Sequence, residues 1–343
     1  MKDAVFDYRS DLLVPPTPSI KAAVAAALDQ TPEFELRGGA QQTELEERIS
    51  TLLGKEDSLL FPTCTMANQT ALILHCRPGD AAISVSDAHM ITSEAGAPAS
   101  LAGAIVHAVS GENGIPDIET VAMHLEAPAN AITPRVTALL LENTHLRSGG
   151  RTLDPSSTAK HRALADKAGI AIHLDGARLF NAAVATDKPL SDLAVIGDTV
   201  SLSLNKGLGA PFGAMLAGPK ALIDEALRIR HRLGGGFRPT AMIAAAALAA
   251  LKSYDHIADD HRRAQALAAS LDAIPGLTVT PVETNILFVS INADARDFVR
   301  KLDQQNVKVL PYGTGRIRLV MHRGIDDDGV SYTVEAFAAV LPI

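Results

Sequence analysis

The chain has 343 residues, more than one domain usually contains, so we expect one large and one smaller domain. Its formal net charge of −8 argues against nucleic acid or an anionic membrane as a partner. The two cysteines, Cys64 and Cys76, cannot build a disulfide framework and do not have the spacing of metal ligands, so no metal site is predicted.

Short apolar runs that are typical of strands alternate with helical stretches over the first two thirds of the chain. The predicted strands are 58–61, 81–85, 103–107, 136–141, 170–174 and 199–204. The predicted helices are 42–53, 65–76, 88–101, 117–125 and 157–168. This alternation predicts an α/β fold with a mostly parallel sheet covered on both faces.

The pattern changes after a helical stretch at 241–273. Short strands are predicted at 277–280, 285–291, 307–310 and 316–321, with helices between and after them. The sequence therefore predicts an N-terminal arm at 1–35, a large domain at 36–245 and a smaller α+β domain at 246–343. No targeting leader precedes the polar opening MKDAVFDYRSD, and the apolar run 241–251 is too short to span a bilayer, so a cytoplasmic location is expected.

Three predicted strand ends carry residues that suit ligand chemistry, and open α/β sheets bind their ligands at strand ends. Lys206 follows the strand 199–204, and we interpret it as a partly desolvated, nucleophilic amine or else as a solvated loop lysine. Asp175 ends the strand 170–174, where a buried carboxylate requires a partner; a pair with Arg178 or a helix cap would also explain it. Thr63 and Thr65 flank the start of a helix that would suit a phosphate, or an ordinary N-cap.

An anion site, an acid and a lysine at three strand ends are together what pyridoxal phosphate requires. The first site would hold the phosphate, the acid would anchor the ring nitrogen, and the lysine would bind the aldehyde. A nicotinamide-binding Rossmann enzyme is disfavoured because no G-x-G-x-x-G motif follows the first strand.

The sequence also resembles the pyridoxal-phosphate-dependent threonine aldolases, which belong to the β-eliminating lyase group and share the aspartate-aminotransferase fold (fold type I). The resemblance runs in register from residue 6 to about residue 325. It is carried by the segments YRSD (8–11), LGKEDSLLFPTCTMANQTAL (53–72), AHMITSEAGAPASLAG (88–103), LENTHLRSGG (141–150), HLDGARLFNAAVA (173–185), LNKGLGAPFGAMLAG (204–218), RLGGGFRP (232–239), TNILFV (284–289) and IRLVMH (317–322).

The resemblance implies a cofactor role for several residues. Lys206 would form the Schiff base, Asp175 would keep the ring nitrogen protonated, and His89 would stack on the ring and serve in base catalysis. A structural histidine at a helix start remains the alternative for His89. Thr63, Cys64 and Thr65 would bind the phosphate in a loop that usually reads Ser-Gly-Thr, and Arg238 would reach the phosphate of a neighbouring subunit.

The resemblance further implies that Ser10, Arg178 and Arg318 bind the α-carboxylate of the substrate, Arg318 being suited to a bidentate contact. The implied activity is cleavage of a β-hydroxy-α-amino acid of the threonine type into glycine and an aldehyde. Alternatives on the same scaffold are β-elimination, racemisation and transaldol transfer, and a binding or structural role without catalysis is a more distant one. A homodimer or homotetramer with a shared active site is expected.

Among the departures from the family pattern, one concerns the segment 34–46. Where typical members carry a tyrosine and an Asp-Pro pair, this chain reads FELRGGAQQTELE at 34–46. We predict that Arg37 lies at the mouth of the active site, where Gly38 and Gly39 let the backbone turn, and that it favours a polar or anionic β-substituent. A solvent-facing arginine in a glycine-rich turn is the alternative.

Overall fold

A seven-stranded sheet forms the centre of the larger of two units into which the chain divides. The computed structural model describes residues 4–126, 132–252 and 254–341. The larger unit comprises 16–148 and 152–252, and the smaller unit comprises 1–15, 149–151 and 253–343. The domain limits expected from the sequence stay predictions. None of the helices in the described ranges is both long enough and apolar enough to span a membrane.

The secondary structure follows the chain in this order. The strands are β1 (Phe6–Asp7), β2 (Asp57–Phe61), β3 (Ala81–Val85), β4 (Ile105–Val109), β5 (Gly111–Glu112), β6 (Ile115–Pro116), β7 (Val136–Glu142), β8 (Ala171–Gly176), β9 (Thr199–Ser203), β10 (Ala214–Gly218), β11 (Leu277–Val279), β12 (Ile286–Ile291), β13 (Val307–Lys308), β14 (Leu310–Pro311) and β15 (Arg316–Val320). The helices are α1 (Pro18–Leu28), α2 (Ala40–Leu53), α3 (Cys64–His75), α4 (His89–Thr92), α5 (Ile118–Glu126), α6 (Pro155–Ala168), α7 (Leu179–Thr186), α8 (Leu190–Ala194), α9 (Lys220–Arg232), α10 (Ala241–Ala250), α11 (His256–Asp272), α12 (Ala295–Gln304) and α13 (Asp327–Val340).

The large sheet has the strand order β2-β10-β9-β8-β7-β3-β4, in which β10 alone runs antiparallel to its neighbours. Its inner strands are apolar and buried along most of their length, as expected of a sheet covered by helices on both faces. The predicted α/β fold with a mostly parallel sheet is thereby confirmed. Glu142, Asp175 and Ser201 lie side by side in the register of β7, β8 and β9, so these strands end at one edge.

The smaller unit contains a four-stranded antiparallel sheet, ordered β11-β12-β15-β14, and the helices α11, α12 and α13. Its core includes Phe298, Leu319 and Phe337, all almost fully buried. The short strand β1 pairs with β13 in parallel, which fixes the N-terminal segment to this unit. The predicted C-terminal α+β structure is confirmed.

Two predicted helices were wrong in detail, and one strand of the large sheet was missed. The single helix expected over 88–101 is broken, because Ala95 (φ 52°) and Gly96 (φ 72°) adopt left-handed conformations between α4 and a π-helical turn at Pro98–Ala102. The helix expected over 241–273 is divided into α10 and α11. The strand β10 was missed, since the sequence AMLAG is rich in alanine and glycine and carries no strand signal.

Candidate active site

Lys206 lies on the loop that follows β9 in the large sheet. Backbone hydrogen bonds close this loop, from Leu204 N to Gly213 O (3.0 Å) and from Gly209 N to Lys206 O (2.9 Å). The lysine is half-buried, and no residue of the described ranges hydrogen-bonds to its Nζ. Its amine is therefore held at the sheet edge in an environment that is partly dry and leaves it available to a ligand.

Asp175 lies at the carboxyl end of β8, the strand next to β9, and is 3% exposed. Its Oδ2 accepts a hydrogen bond from Asn68 Nδ2 (2.8 Å), and its Oδ1 accepts one from the backbone N–H of Ala177 (3.0 Å). Burial raises the pKa of Asp175, but its surroundings, with His89 and Lys206 first and the hydrogen bond from Asn68 among them, together hold it below the usual value. The carboxylate is thus kept ionised at the end of its strand.

The segment from Thr63 to Thr65 connects β2 to α3. Thr63 is the N-cap of α3, with its Oγ1 accepting a hydrogen bond from Met66 N (3.1 Å). This hydrogen bond matches the N-cap alternative for Thr63. The backbone N–H groups of Cys64 and Thr65 lie in the first turn of α3 and point out of the helix. A helix start of this kind suits an anion.

The Cys64 side chain points toward the carboxylate and away from solvent. Its Sγ lies 3.8 Å from Asp175 Oδ1 and 3.5 Å from Ser201 Oγ. Burial, followed by the charge of Asp175, raises the pKa of this thiol. Only the backbone of Cys64 can therefore serve the anion site, because its thiol is committed to the strand ends.

His89 begins α4, and its ring binds a buried carboxylate. The Nδ1 atom lies 3.0 Å from Glu94 Oε1, and the backbone N–H donates to Glu142 Oε2 (2.7 Å). Burial lowers the pKa of His89, but the hydrogen bond to Glu94 and the charge of Asp175 raise it above the usual value in sum. The structure brings His89, Asp175 and Lys206 together at one sheet edge.

Asn68 connects the two buried carboxylates of this cluster. Its Nδ2 donates to both Glu94 Oε1 (2.8 Å) and Asp175 Oδ2 (2.8 Å). Its Oδ1 accepts from Ser201 Oγ (2.6 Å) and lies 3.1 Å from His173 Nε2. The orientation of the amide is fixed, because the opposite one would place its oxygen against two carboxylates.

The arginines predicted for the site differ in their surroundings. Arg178 is 7% exposed and lies at the N-cap position of α7, directly after β8. Arg238 is exposed, donates from Nη1 to Phe34 O (2.8 Å) and places its guanidinium 5.1 Å from the Phe34 ring centre. Phe34 itself is 81% exposed, so this pair lies on the surface of the chain.

Arg37 takes part in a partly buried ion-pair network. Its Nε donates to Glu46 Oε2 (2.7 Å), while its Nη2 donates to Asp57 Oδ1 (2.5 Å) and Ser58 O (2.9 Å). These contacts connect α2 to the start of β2 and engage both Nε and Nη2 of the guanidinium. They give no support to the substrate contact expected of Arg37, and they differ also from the solvent-facing alternative.

Ser10 and Arg318 lie in the smaller unit. The Oγ of Ser10 accepts a hydrogen bond from Leu12 N (3.2 Å), and Arg318 Nη2 donates to the carbonyl of Arg9 (3.0 Å). The fold therefore brings Arg318 to the residue that precedes Ser10, although 308 positions of sequence separate those two candidates.

The residues of the large unit fit pyridoxal phosphate by their chemistry. The first turn of α3 provides anion donors, Asp175 is an ionised acid that accepts hydrogen bonds from the neutral groups of Asn68 and Ala177, and Lys206 has an available amine. Ligand atoms of His89, Glu94 and Asp175 also lie within 4.8 Å of one another, as in a metal site. The Asn68 amide already donates to both carboxylates, however, so the cluster is satisfied as a hydrogen-bond network.

Sequence reasoning missed Asn68 and Glu94, which complete the cluster. Both lie in segments that carried the family resemblance, but neither was singled out. A usable signal existed, since Asn68 begins a short polar run, Asn-Gln-Thr, inside a helix that is otherwise rich in apolar residues, and Glu94 is the one acid in the segment 88–103.

Comparison with known proteins assigns the chain to a family. The family model of β-eliminating lyases matches residues 7–294. A probable low-specificity L-threonine aldolase 2 of Arabidopsis thaliana is 36% identical over 344 aligned positions, which cover 97% of this chain and 96% of that protein.

Solved structures share the fold at lower identity. A threonine aldolase of Leishmania major superposes with a TM-score of 0.85 at 21% identity, covering 98% of this chain and 100% of that one. A serine palmitoyltransferase of S. paucimobilis, solved with a bound PLP–myriocin aldimine, superposes with a TM-score of 0.76 at 18% identity and covers 98% and 86%.

Proposed function

The chain belongs to the β-eliminating lyase family, and from this membership we propose that it cleaves threonine-like β-hydroxy-α-amino acids into glycine and an aldehyde. It is a pyridoxal-phosphate-dependent carbon–carbon lyase of the threonine aldolase type. The expected homo-oligomer and cytoplasmic location stay predictions.

One structural observation in this chain supports the proposal. Asp175 lies at the carboxyl end of β8, Lys206 follows the adjacent strand β9, and the charge of Lys206 contributes to the lowered pKa of Asp175. An amine and an ionised acid held on neighbouring strand ends are the pair that the cofactor's aldehyde and ring nitrogen require.

Each residue of the cluster has a separate task in this proposal. When bound, pyridoxal phosphate supplies an electron sink next to the α-carbon of an amino acid. Lys206 provides the amine that holds the aldehyde, and Asp175 keeps a proton on the ring nitrogen. The N–H groups of Cys64 and Thr65 bind the phosphate.

The remaining tasks are binding and proton handling. Arg178 binds the α-carboxylate of the substrate, a task for which Ser10 and Arg318 also remain predicted. His89 can hold or move a proton at Nε2, because its Nδ1 is engaged by Glu94. Arg37 is given no substrate role.

A panel of β-hydroxy-α-amino acids tests the reaction. We expect L-threonine or L-allo-threonine to yield glycine and acetaldehyde in equal amounts, measured by amino-acid analysis and by coupled reduction of the aldehyde. The matched control is Lys206→Ala, which should lose nearly all turnover because it removes the nucleophilic amine.

The same panel separates the alternatives. Release of ammonia and a keto acid would indicate β-elimination, and inversion of the α-carbon without cleavage would indicate racemisation. Either result without glycine formation would contradict the proposal, as would a Lys206→Ala variant with activity close to wild type.

A further inference from the structure

Glu94 is a buried carboxylate whose one cationic partner in the described part of the chain is a histidine. Its side chain is 0% exposed and accepts hydrogen bonds from Asn68 Nδ2 (2.8 Å) and Gln69 Nε2 (2.6 Å), both neutral. Among the residues that the structure describes, the His89 ring, with Nδ1 at 3.0 Å from Glu94 Oε1, is the cationic partner of this carboxylate. A buried carboxylate is stable when a charge compensates it, so Glu94 favours the protonated ring.

Glu94 is linked through Asn68 to Asp175, the residue predicted to bind the ring nitrogen of the cofactor. The Asn68 amide donates one N–H to Glu94 and the other to Asp175. Its oxygen accepts from Ser201, which prevents the amide from turning. A displacement of Glu94 would therefore disturb the hydrogen bond to Asp175 as well.

The His89 ring is also fixed from its backbone. The N–H of His89 donates to Glu142 Oε2, and this carboxylate is buried on β7. The side chain of His89 remains 26% exposed, so the ring retains an open side. With Nδ1 engaged by Glu94, Nε2 is the ring nitrogen left for a ligand.

We propose that Glu94 and Asn68 are positioning residues that hold His89 as an imidazolium, with Nδ1–H bound to Glu94 and Nε2–H free to donate. His89 then acts as a hydrogen-bond donor to the cofactor or substrate and not as the base that removes the hydroxyl proton. The catalytic consequence rests on the proposed aldol cleavage, whereas the charge state of His89 does not.

The charges around His89 agree with this assignment. Burial lowers its pKa, the hydrogen bond to Glu94 and the charge of Asp175 raise it, and Lys206 lowers it, with an upward shift in sum. Glu142 faces its backbone from β7. Because the pKa is raised, the imidazolium persists above the pH at which an ordinary histidine loses its proton.

The charge state can be measured directly in the holoenzyme. Histidine labelled with ¹³C at Cε1 gives a titration curve for each ring by NMR, and the signal missing from His89→Asn assigns His89. We expect the wild-type ring to titrate above the ordinary value of about 6.5. Glu94→Gln keeps the shape but removes the charge, and should lower this pKa by about 1–3 units.

Glu142→Gln is the matched control, because it removes a buried carboxylate that contacts the backbone of His89 and not its ring. Its effect on the His89 titration should be less than half that of Glu94→Gln. A wild-type ring that titrates at or below the ordinary value overturns the proposal, and this result requires no variant to fold. Equal shifts in the two variants also overturn it.

The pH dependence of kcat/KM distinguishes donor from base. If His89 donates, its deprotonation causes a loss on the alkaline side, and Glu94→Gln should move this limb to lower pH by the same number of units as the NMR shift. If the acid limb moves instead, His89 is a base and the proposal is wrong. Failure to cleave any β-hydroxy amino acid would contradict the proposed function alone, since the NMR titration is independent of turnover.

Discussion

Asn68 shows how one neutral side chain can organise several charges. Two carboxylates, those of Glu94 and Asp175, are buried close together, and like charges in such a position repel. The two N–H groups of one amide satisfy both without adding charge. The His173 ring on the other side is kept neutral, since burial lowers its pKa to about 4.

The substitution Asn68→Asp tests this arrangement. It replaces two donors by a third carboxylate, so we expect the free energy of unfolding to fall by about 3–5 kcal/mol at pH 8, the cost of an uncompensated buried charge. The pKa of the new Asp should be raised in the folded state, so the penalty is full at high pH and shrinks as the pH falls and the group takes up a proton.

Urea denaturation at pH 5 and pH 8 measures the effect. Asn113→Asp is the matched control, because Asn113 is exposed in a turn and the same change there should stay within about 0.5 kcal/mol. A deficit for Asn68→Asp that is independent of pH would argue against the electrostatic explanation.

At the scale of elements, the first turn of α3 has two tasks. The Thr63 side chain caps Met66 N, while the preceding N–H groups of Cys64 and Thr65 are predicted to bind the phosphate. The cap fixes the conformation of the turn, so helix stability and anion binding depend on the same few atoms.

Thr63→Ala tests this shared dependence. Loss of the cap should lower the free energy of unfolding by about 1 kcal/mol and also weaken cofactor binding. Thr63→Ser should retain both, because its hydroxyl can still accept the Met66 hydrogen bond. Unfolding by urea and cofactor titration by absorbance give the two quantities.

Thr17→Ala provides the comparison within the same unit. Thr17 caps α1 through Ile20 N (3.3 Å), so its loss should destabilise the chain to a similar extent and leave the cofactor dissociation constant unchanged. If both variants weaken cofactor binding equally, the first turn of α3 has no special relation to the phosphate.

At the scale of the whole molecule, the exposed pair of Arg238 and Phe34 is unusual for a chain acting alone. A large aromatic side chain that is 81% exposed and covered on one face by an arginine is the kind of residue found at protein interfaces. This agrees with the prediction that Arg238 serves the cofactor of a neighbouring subunit.

Subunit mixing tests that prediction. If Arg238 acts on the neighbour's site, unfolding and refolding Arg238→Ala together with Lys206→Ala should restore activity, because a hybrid dimer has one intact site. With random pairing, about a quarter of all sites are intact. Each variant refolded alone should remain nearly inactive.

The control mixture combines Lys206→Ala with Asp175→Ala, two residues that one chain contributes to one site. Every site in that hybrid lacks one of them, so no activity should return. Recovery in both mixtures, or in neither, would contradict a role for Arg238 across an interface.

The sequence by itself determined the elements that carry the cofactor chemistry. Asp175 ends one apolar strand and Lys206 follows the next, and strands in a parallel sheet end at a common edge, so local pattern was enough to bring them together. The motifs around them identified the family, which the comparisons confirmed. The break in the helix at 88–101 was not predictable from periodicity, because alanine rarely adopts the left-handed conformation that Ala95 has in this structure.

Only the tertiary structure decided what surrounds these groups. Arg37 is engaged by Glu46 and Asp57, which lie 9 and 20 residues away along the chain. Asn68 joins Glu94 to Asp175 across 26 and 107 residues. Burial and charge compensation act through space, so a pattern of neighbouring residues fixes where a strand ends but not which side chains will share its end.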